Sequence, residues 1–212
     1  MATFTEIQNR FLYLVDESTI SDIHKSHINA SVQDIINAYP FSWNIASDTV
    51  TLASNVGNLP TDFNPKWGIL DARIENTGNV TDVIFTRKPI SYRDSYGSSD
   101  AKYWITYDTT TSRYIFNSPY DDSTVTVYYQ FFPSDMSSGT DVCVVPDAEL
   151  VALLTASKHF MGEDQDKELV ELYEKRAQER LKALYTQDLN FSEVDEEYSP
   201  ISDQTDITVR GG

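Results

Sequence analysis

Residues 146–187 constrain the fold of this chain most, because they carry two amphipathic helical patterns in succession. Gly162 is predicted to end the first helix and Asp164 to cap the second, while Pro146 suits a first helical turn. Neither helix is apolar all round, so each must bury a stripe of side chains against another element. The predicted stripes are Leu150, Leu153, Leu154, Ser157, Phe160 and Met161 in the first helix, and Leu169, Tyr173, Ala177, Leu181 and Leu184 in the second.

The other strongly helical stretch lies at the opposite end of the chain. Thr3 and Glu6 have the spacing of a capping box, which predicts a helix from Thr3 to Asp16. A second helix is predicted from about Asp22 to Ala38, where Pro40 stops it. We therefore expect residues 1–42 and 146–187 to pack together as a small helical bundle, with the middle of the chain inserted between them. The predicted inner residues are Phe4, Ile7, Phe11, Leu14 and Val15, followed by Ile28, Val32, Ile35 and Tyr39.

Residues 43–145 lose the helical period and alternate instead. The clearest strand is Thr124–Phe132, and Tyr103, Ile105 and Tyr107 alternate in the same way. Short strands separated by turn residues predict an inserted antiparallel β-sandwich or barrel-like domain, so the fold class is α+β. Two polar stretches, 54–66 and 133–141, are predicted to be mobile loops.

The composition excludes several functions. A net charge of −17 opposes attraction to a nucleic-acid backbone or to an anionic membrane surface. The single cysteine, Cys143, lies in an apolar run and is expected to be a buried small hydrophobe. The sequence has neither a signal-peptide pattern nor an apolar run near the ~20 residues of a membrane span. These observations predict a protein that is made and folded in a cytoplasm.

Residues 188–212 are predicted to form an extended tail that binds a partner. They hold seven acids against one base, Arg210, yet apolar residues are interspersed among them. A solvated spacer has no use for such side chains, whereas a peptide that lies along a neighbouring subunit, or adds a strand to its sheet, does. The predicted partner-binding residues are Phe191, Val194, Tyr198, Ile201, Ile207 and Val209.

No catalytic motif emerges from the sequence. His24 and His27 share a helix face, but no third ligand of matching spacing is evident, which predicts a structural or solvated role. Residues 163–166 lack the pattern of a calcium loop and are better explained as carboxylates at a helix N-terminus. We therefore predict no enzymatic activity, no catalytic residue, no metal site and no cofactor. A carbohydrate-binding β module of a phage tail or adhesin is the alternative, because the many Tyr and Trp residues could line a sugar-binding cleft.

The order and texture of these segments resemble a known family. Two helices end in AYPFSW, a β insertion carries KYWITYDTTTSRYIFNSPYDDSTVTVYYQFFPSDM, and VVPDAELVALLTASKHF precedes an acidic break and a final amphipathic helix. Over about residues 3–187 this resembles the head-to-tail adaptor (connector) proteins of tailed bacteriophages, of the tail-tubular adaptor type.

The resemblance implies a structural role in the neck or tail of the virion, after assembly in the host cytoplasm. Such proteins form a ring, usually of twelve copies, under the portal protein, and they join capsid to tail. The partners implied are the portal, neighbouring copies of the chain and a downstream tail or nozzle protein, without a membrane. Double-stranded DNA would pass through the ring without specific binding, since an acidic wall repels the duplex.

Overall fold

A computed structural model describes residues 1–75, 82–120, 123–164 and 166–192, with the backbone alone for 163, 164 and 190–192. Four helices come from the two ends of the chain: α1 (Phe4–Val15), α2 (Asp22–Ala38), α3 (Ala148–His159) and α4 (Lys167–Ser192). They share one apolar core. The predicted packing of the two chain ends is therefore confirmed, and so is the α+β fold class.

The sequence predicts the start of α1 and the extent of α2 correctly. Thr3 and Glu6 form the capping box, in which the Thr3 hydroxyl accepts from the Glu6 N–H while the Glu6 carboxylate accepts from the Thr3 N–H. Phe4, Ile7 and Phe11 of α1 are fully buried. The inner face of α2 is also as predicted, with Ile28, Val32 and Ile35 in the core and Tyr39 packed against it.

The helix α3 differs from its prediction, because it lies at the centre of the bundle. It packs against α1, α2 and α4, so nine of its twelve residues are buried rather than a single stripe. Met161, predicted to be on the inner face, is 58% exposed because the chain leaves α3 through π-helical residues Phe160–Asp164. The helix cap is Asp147, whose carboxylate accepts from the Leu150 N–H, and Pro146 lies outside the helix.

The helix α4 begins and ends later than predicted. Asp166, rather than Asp164, caps it, since its carboxylate accepts from the N–H groups of Glu168 and Leu169. The helix then continues to Ser192, five residues beyond the predicted end at 187. Residues 188–192 are thus helical, and the prediction of an extended tail is wrong for these five. The predicted inner face is confirmed: Tyr173 and Ala177 are buried, and Leu169, Leu181 and Leu184 pack against the core.

Two four-stranded sheets lie between α2 and α3 in the sequence. The first sheet has the order β1-β8-β3-β4 and is antiparallel throughout. The second has the order β2-β7-β6-β5, in which the two-residue β5 pairs with β6 in parallel, a departure from the all-antiparallel prediction. The strands are β1 (Ile45–Thr51), β2 (Val56–Asn58), β3 (Ile69–Ile74), β4 (Val83–Ile84), β5 (Thr86–Arg87), β6 (Lys102–Asp108), β7 (Arg113–Asn117) and β8 (Thr124–Gln130).

Both sheets contribute to a second apolar core. Val50, Val125 and Val127 of the first sheet face Tyr103 and Phe116 of the second, and the rings of the latter two residues stack at 4.9 Å between centroids. The stretch 54–66 belongs to this core, since it contains β2 and the buried Leu59 and Phe63. The loop prediction is therefore wrong for residues 56–58, which form β2.

The stretch 133–141 lies along α1 and α2 instead. Met136 is buried, and its backbone N–H and carbonyl both bond to the side-chain amide of Asn29. The carbonyl of Gly139 accepts from the backbone N–H and the hydroxyl of Thr5. These contacts attach the stretch to the bundle. That either stretch is mobile stays a prediction.

Buried amides join the bundle to the sheets. Asn44 donates to the Gln130 side-chain carbonyl at 3.0 Å, and Gln130 donates to the Phe41 carbonyl at 2.7 Å. The indole N–H of Trp67 donates to the Ile36 carbonyl at the end of α2. Because buried polar groups are costly unless paired, these bonds favour one orientation between the two halves. Within the part of the chain described, no helix has an apolar stretch long enough to cross a membrane.

Candidate assembly surfaces

The predicted partner-binding residues lie at or beyond the end of α4. Phe191 is in the last turn of that helix, where the structure describes only the backbone. Val194, Tyr198, Ile201, Ile207 and Val209 lie outside the described residues. Their role as partner anchors therefore stays a prediction, but the structure describes the point from which this segment leaves.

That point is fixed by a buried carboxylate. Asp188 is 9% exposed, and its two oxygens accept from the Ser42 N–H at 2.8 Å and from the Ser42 hydroxyl at 2.5 Å. Ser42 begins a short 3-10 turn, Ser42–Asn44, that leads into β1. The carboxylate thus caps this turn and binds the end of α4 to the boundary between bundle and sheets.

Aromatic rings surround the same boundary. Tyr39 and Tyr185 stack at 4.1 Å between centroids, and Phe41 and Trp43 stack at 4.6 Å. Phe41 is fully buried, whereas the other three rings are half-buried. These rings therefore form a partly exposed aromatic surface beside the C-terminal part of α4, and surfaces of this kind are enriched at protein interfaces.

Two concave regions beside α2 lack the lining expected of a sugar-binding cleft. An open groove runs between α2 and the stretch 133–141, lined by Asp22, Lys25, Ser26, Asn29, Ala30, Gln33, Asp135, Met136 and Ser137. It has no aromatic side chain on which a sugar ring could stack. A narrower crevice beside it, lined by residues such as Val32 and Cys143, holds about 20 Å³. Ligand pockets measure about 300 Å³ or more, so this crevice suits no organic ligand.

The structure confirms Cys143 as a core residue. It is 1% exposed, and burial raises the pKa of its thiol. Since the thiolate is the reactive form, this environment opposes nucleophilic chemistry.

One polar cluster was missed in the sequence. Glu17, His24 and His159 approach one another where the loop after α1, the first turn of α2 and the last residue of α3 meet. One ligand atom from each lies within 4.8 Å of the others. His27, which the sequence pairs with His24, is not part of this group. The true neighbour, His159, is separated from His24 by 135 residues, so no local spacing could reveal it.

The described residues thus define a structural subunit with two apolar cores, a hydrogen-bonded junction between them and partly exposed rings at that junction. The chain belongs to the SU10 adaptor protein family, whose sequence model matches residues 2–203. This is a family of phage head–tail adaptors and not an enzyme family, which confirms the resemblance seen in the sequence. No curated protein matches the chain. Membership implies a structural role in the virion neck, with portal or tail proteins as partners.

Proposed function

We propose that this chain is a subunit of a ring of twelve copies. The ring would lie under the portal, join capsid to tail and line the DNA exit channel. The observation that carries the proposal is the Asp188–Ser42 contact, which attaches the last turns of α4 to the boundary between bundle and sheets. A segment that starts from a rigid point can reach a defined site on a neighbour. At about 3.3 Å per residue, these residues span up to roughly 65 Å.

The chemistry of the segment favours a protein partner over DNA. Residues 193–212 carry six acids and one base, so the duplex repels them. Their apolar residues gain free energy only when another protein surface covers them. We infer that they bind the portal or an adjacent copy. The charge of −17 over the whole chain would allow DNA to slide through the ring without adhering.

The test separates the apolar residues from the remainder of the segment. A variant with Ile201, Ile207 and Val209 all changed to Ser removes apolar side chains and keeps every charge. We expect it to bind the portal of the same phage at least about tenfold more weakly, as measured by biolayer interferometry. The reason is that side chains buried at an interface supply most of its binding free energy.

The matched control changes polar residues in the same stretch. Gln204, Thr205 and Thr208, all changed to Ser, should leave the affinity within about twofold, since polar rim contacts contribute little. Equal portal binding by both variants and the unchanged chain would refute the proposed anchors.

A further inference from the structure

We propose that Glu17, His24 and His159 form a binding site for a divalent transition metal of the zinc class. Two imidazoles and one carboxylate are a ligand set that zinc takes, with water in a fourth position. The three side chains come from three separate parts of the bundle, so a bound ion would link them. This inference does not depend on the proposed assembly function.

The distances are close to those a metal requires. The Nε2 atom of His24 lies 3.6 Å from one Glu17 oxygen, and the Nε2 atom of His159 lies 3.7 Å from the other. In a tetrahedral zinc site with bonds near 2.0–2.1 Å, neighbouring ligand atoms are about 3.3 Å apart. The three ligand atoms lie within 4.8 Å of one another, so binding requires them to move together, and the half-buried Glu17 side chain has the most freedom to do so.

The surroundings hold the two rings in place and leave a way in. His24 and His159 are 3% and 2% exposed, and Phe11 packs edge-on against both rings. The side chain of Glu17 is 35% exposed, so an ion could enter from its side. A dry apolar wall strengthens the attraction between a cation and a carboxylate.

Local backbone geometry brings Glu17 to the site. Asp16 ends α1 in the left-handed region, with φ of 55°, and the Glu17 N–H bonds back to the Leu12 carbonyl. This sharp turn directs the Glu17 carboxylate toward the two imidazoles, instead of letting the chain continue as helix.

Metal binding would change one hydrogen bond. The Nδ1 atom of His24 accepts from the Ser21 N–H at 3.2 Å, which places the proton of a neutral ring on Nε2, the atom nearest Glu17. An ion on Nε2 would displace that proton to Nδ1. The Ser21 N–H would then lose its acceptor, so the amide proton of Ser21 should exchange faster when metal is bound.

The experiment titrates Zn²⁺ into the untagged, chelator-treated chain by calorimetry, with excess Mg²⁺ present to occupy surface carboxylates. We expect one Zn²⁺ per chain and a higher melting temperature. His24→Gln, His159→Gln and Glu17→Gln should each weaken binding at least about 100-fold. His27→Gln, which changes the one histidine outside the proposed site, should bind Zn²⁺ as the unchanged protein does.

These variants separate loss of the ligand from loss of the fold. Glutamine at position 24 preserves the Ser-x-x-Gln capping pattern, and Glu17→Gln is nearly isosteric. Circular dichroism without metal checks that each variant folds. If a histidine variant does not fold, the Zn²⁺ affinity of the Glu17→Gln variant decides the test. Absence of saturable Zn²⁺ binding, equal affinity in the Glu17 variant, or unchanged Ser21 exchange with Zn²⁺ bound would overturn the proposal.

Discussion

At the scale of single residues, Asp188 shows why α4 continues beyond its predicted end. Its side chain reaches Ser42 across the boundary between bundle and sheets, so α4 must continue at least this far. A carboxylate that accepts two hydrogen bonds in a nearly buried position contributes more stability than an exposed one. The residue therefore stabilises the junction between the bundle and the sheets.

Replacing Asp188 by Ala should lower the free energy of unfolding by about 2–3 kcal/mol, because the N–H and hydroxyl of Ser42 lose their acceptor. Asp188→Asn, which can still accept one bond, should lie between that variant and the unchanged protein. Urea unfolding measures the effect. Gln187→Ala, at the exposed neighbouring position, serves as the control and should change stability by less than about 0.5 kcal/mol. A loss as small for Asp188→Ala as for this control would contradict the assigned contact.

Residue-scale prediction succeeded where the partners are close in sequence. The Thr3–Glu6 capping box could be predicted because its two members are three positions apart. Asp166 and Asp164 both suit a helix cap, and only the π-helical turn after α3 decides between them. The contact of Asp188 with Ser42 spans 146 residues and has no local pattern.

At the scale of elements, two buried tyrosines give the sheets a pH dependence. Burial raises the pKa of Tyr103 in β6 to about 12 from its ordinary value of 10.0, an effect that the charge of Arg87 partly offsets. Burial also raises the pKa of Tyr129 in β8, and so does its hydrogen bond to Asp62. Both tyrosines line the core between the sheets.

The sign of this effect follows from proton binding. Below pH 10 Tyr103 is protonated whether the chain is folded or unfolded, so its contribution to the free energy of unfolding is fully present. Between about pH 10 and 12 the unfolded chain loses the proton first, so the free energy of unfolding falls as pH rises. For Tyr103 the fall should total about 2–3 kcal/mol.

Tyr103→Phe should therefore lose less stability than the unchanged chain between about pH 9 and pH 11.5, as urea unfolding at each pH would measure. Tyr107→Phe is the control, since Tyr107 lies in the same strand and is 51% exposed. If the two variants lose stability equally, burial of Tyr103 is not the cause.

Element types could be predicted from periodicity, but burial depth could not. The stripe on α4 is correct because that helix has one exposed side. The helix α3 has three helical neighbours, so Ala152 and Thr155, which lie outside the predicted stripe, are buried as fully as Leu150. Hydrophobic periodicity does not predict that such residues are buried. The parallel β5–β6 pair is only two residues long and leaves no pattern either.

At the scale of the whole molecule, the sequence could predict that the two ends of the chain join and that a β region is inserted. The amphipathic helices at each end needed another element to pack against, and the shared apolar core confirms that they pack against each other. It could not predict the junction or the Glu17–His24–His159 cluster, because tertiary packing brings those residues together. The divisions at 42 and 145 and the partner-binding role of the last residues stay predictions, whereas the helical part runs to Ser192 rather than to 187.

The position of α4 also determines how the assembly should be tested. A truncation at 187 would remove Asp188 and weaken the fold, which would confuse loss of stability with loss of assembly. The chain should end after Ser192, where the described helix ends. This shorter protein keeps every contact of the junction.

The central claim is best tested by measuring the mass of the complex that the chain forms with the portal of the same phage. Mass photometry of the full chain with the portal should show the added mass of a closed ring of twelve copies. The chain ending at Ser192 should fold with an unchanged melting temperature and add no mass to the portal. A full-length chain that adds no mass to the portal, or a truncated chain that builds the same ring, would contradict the account.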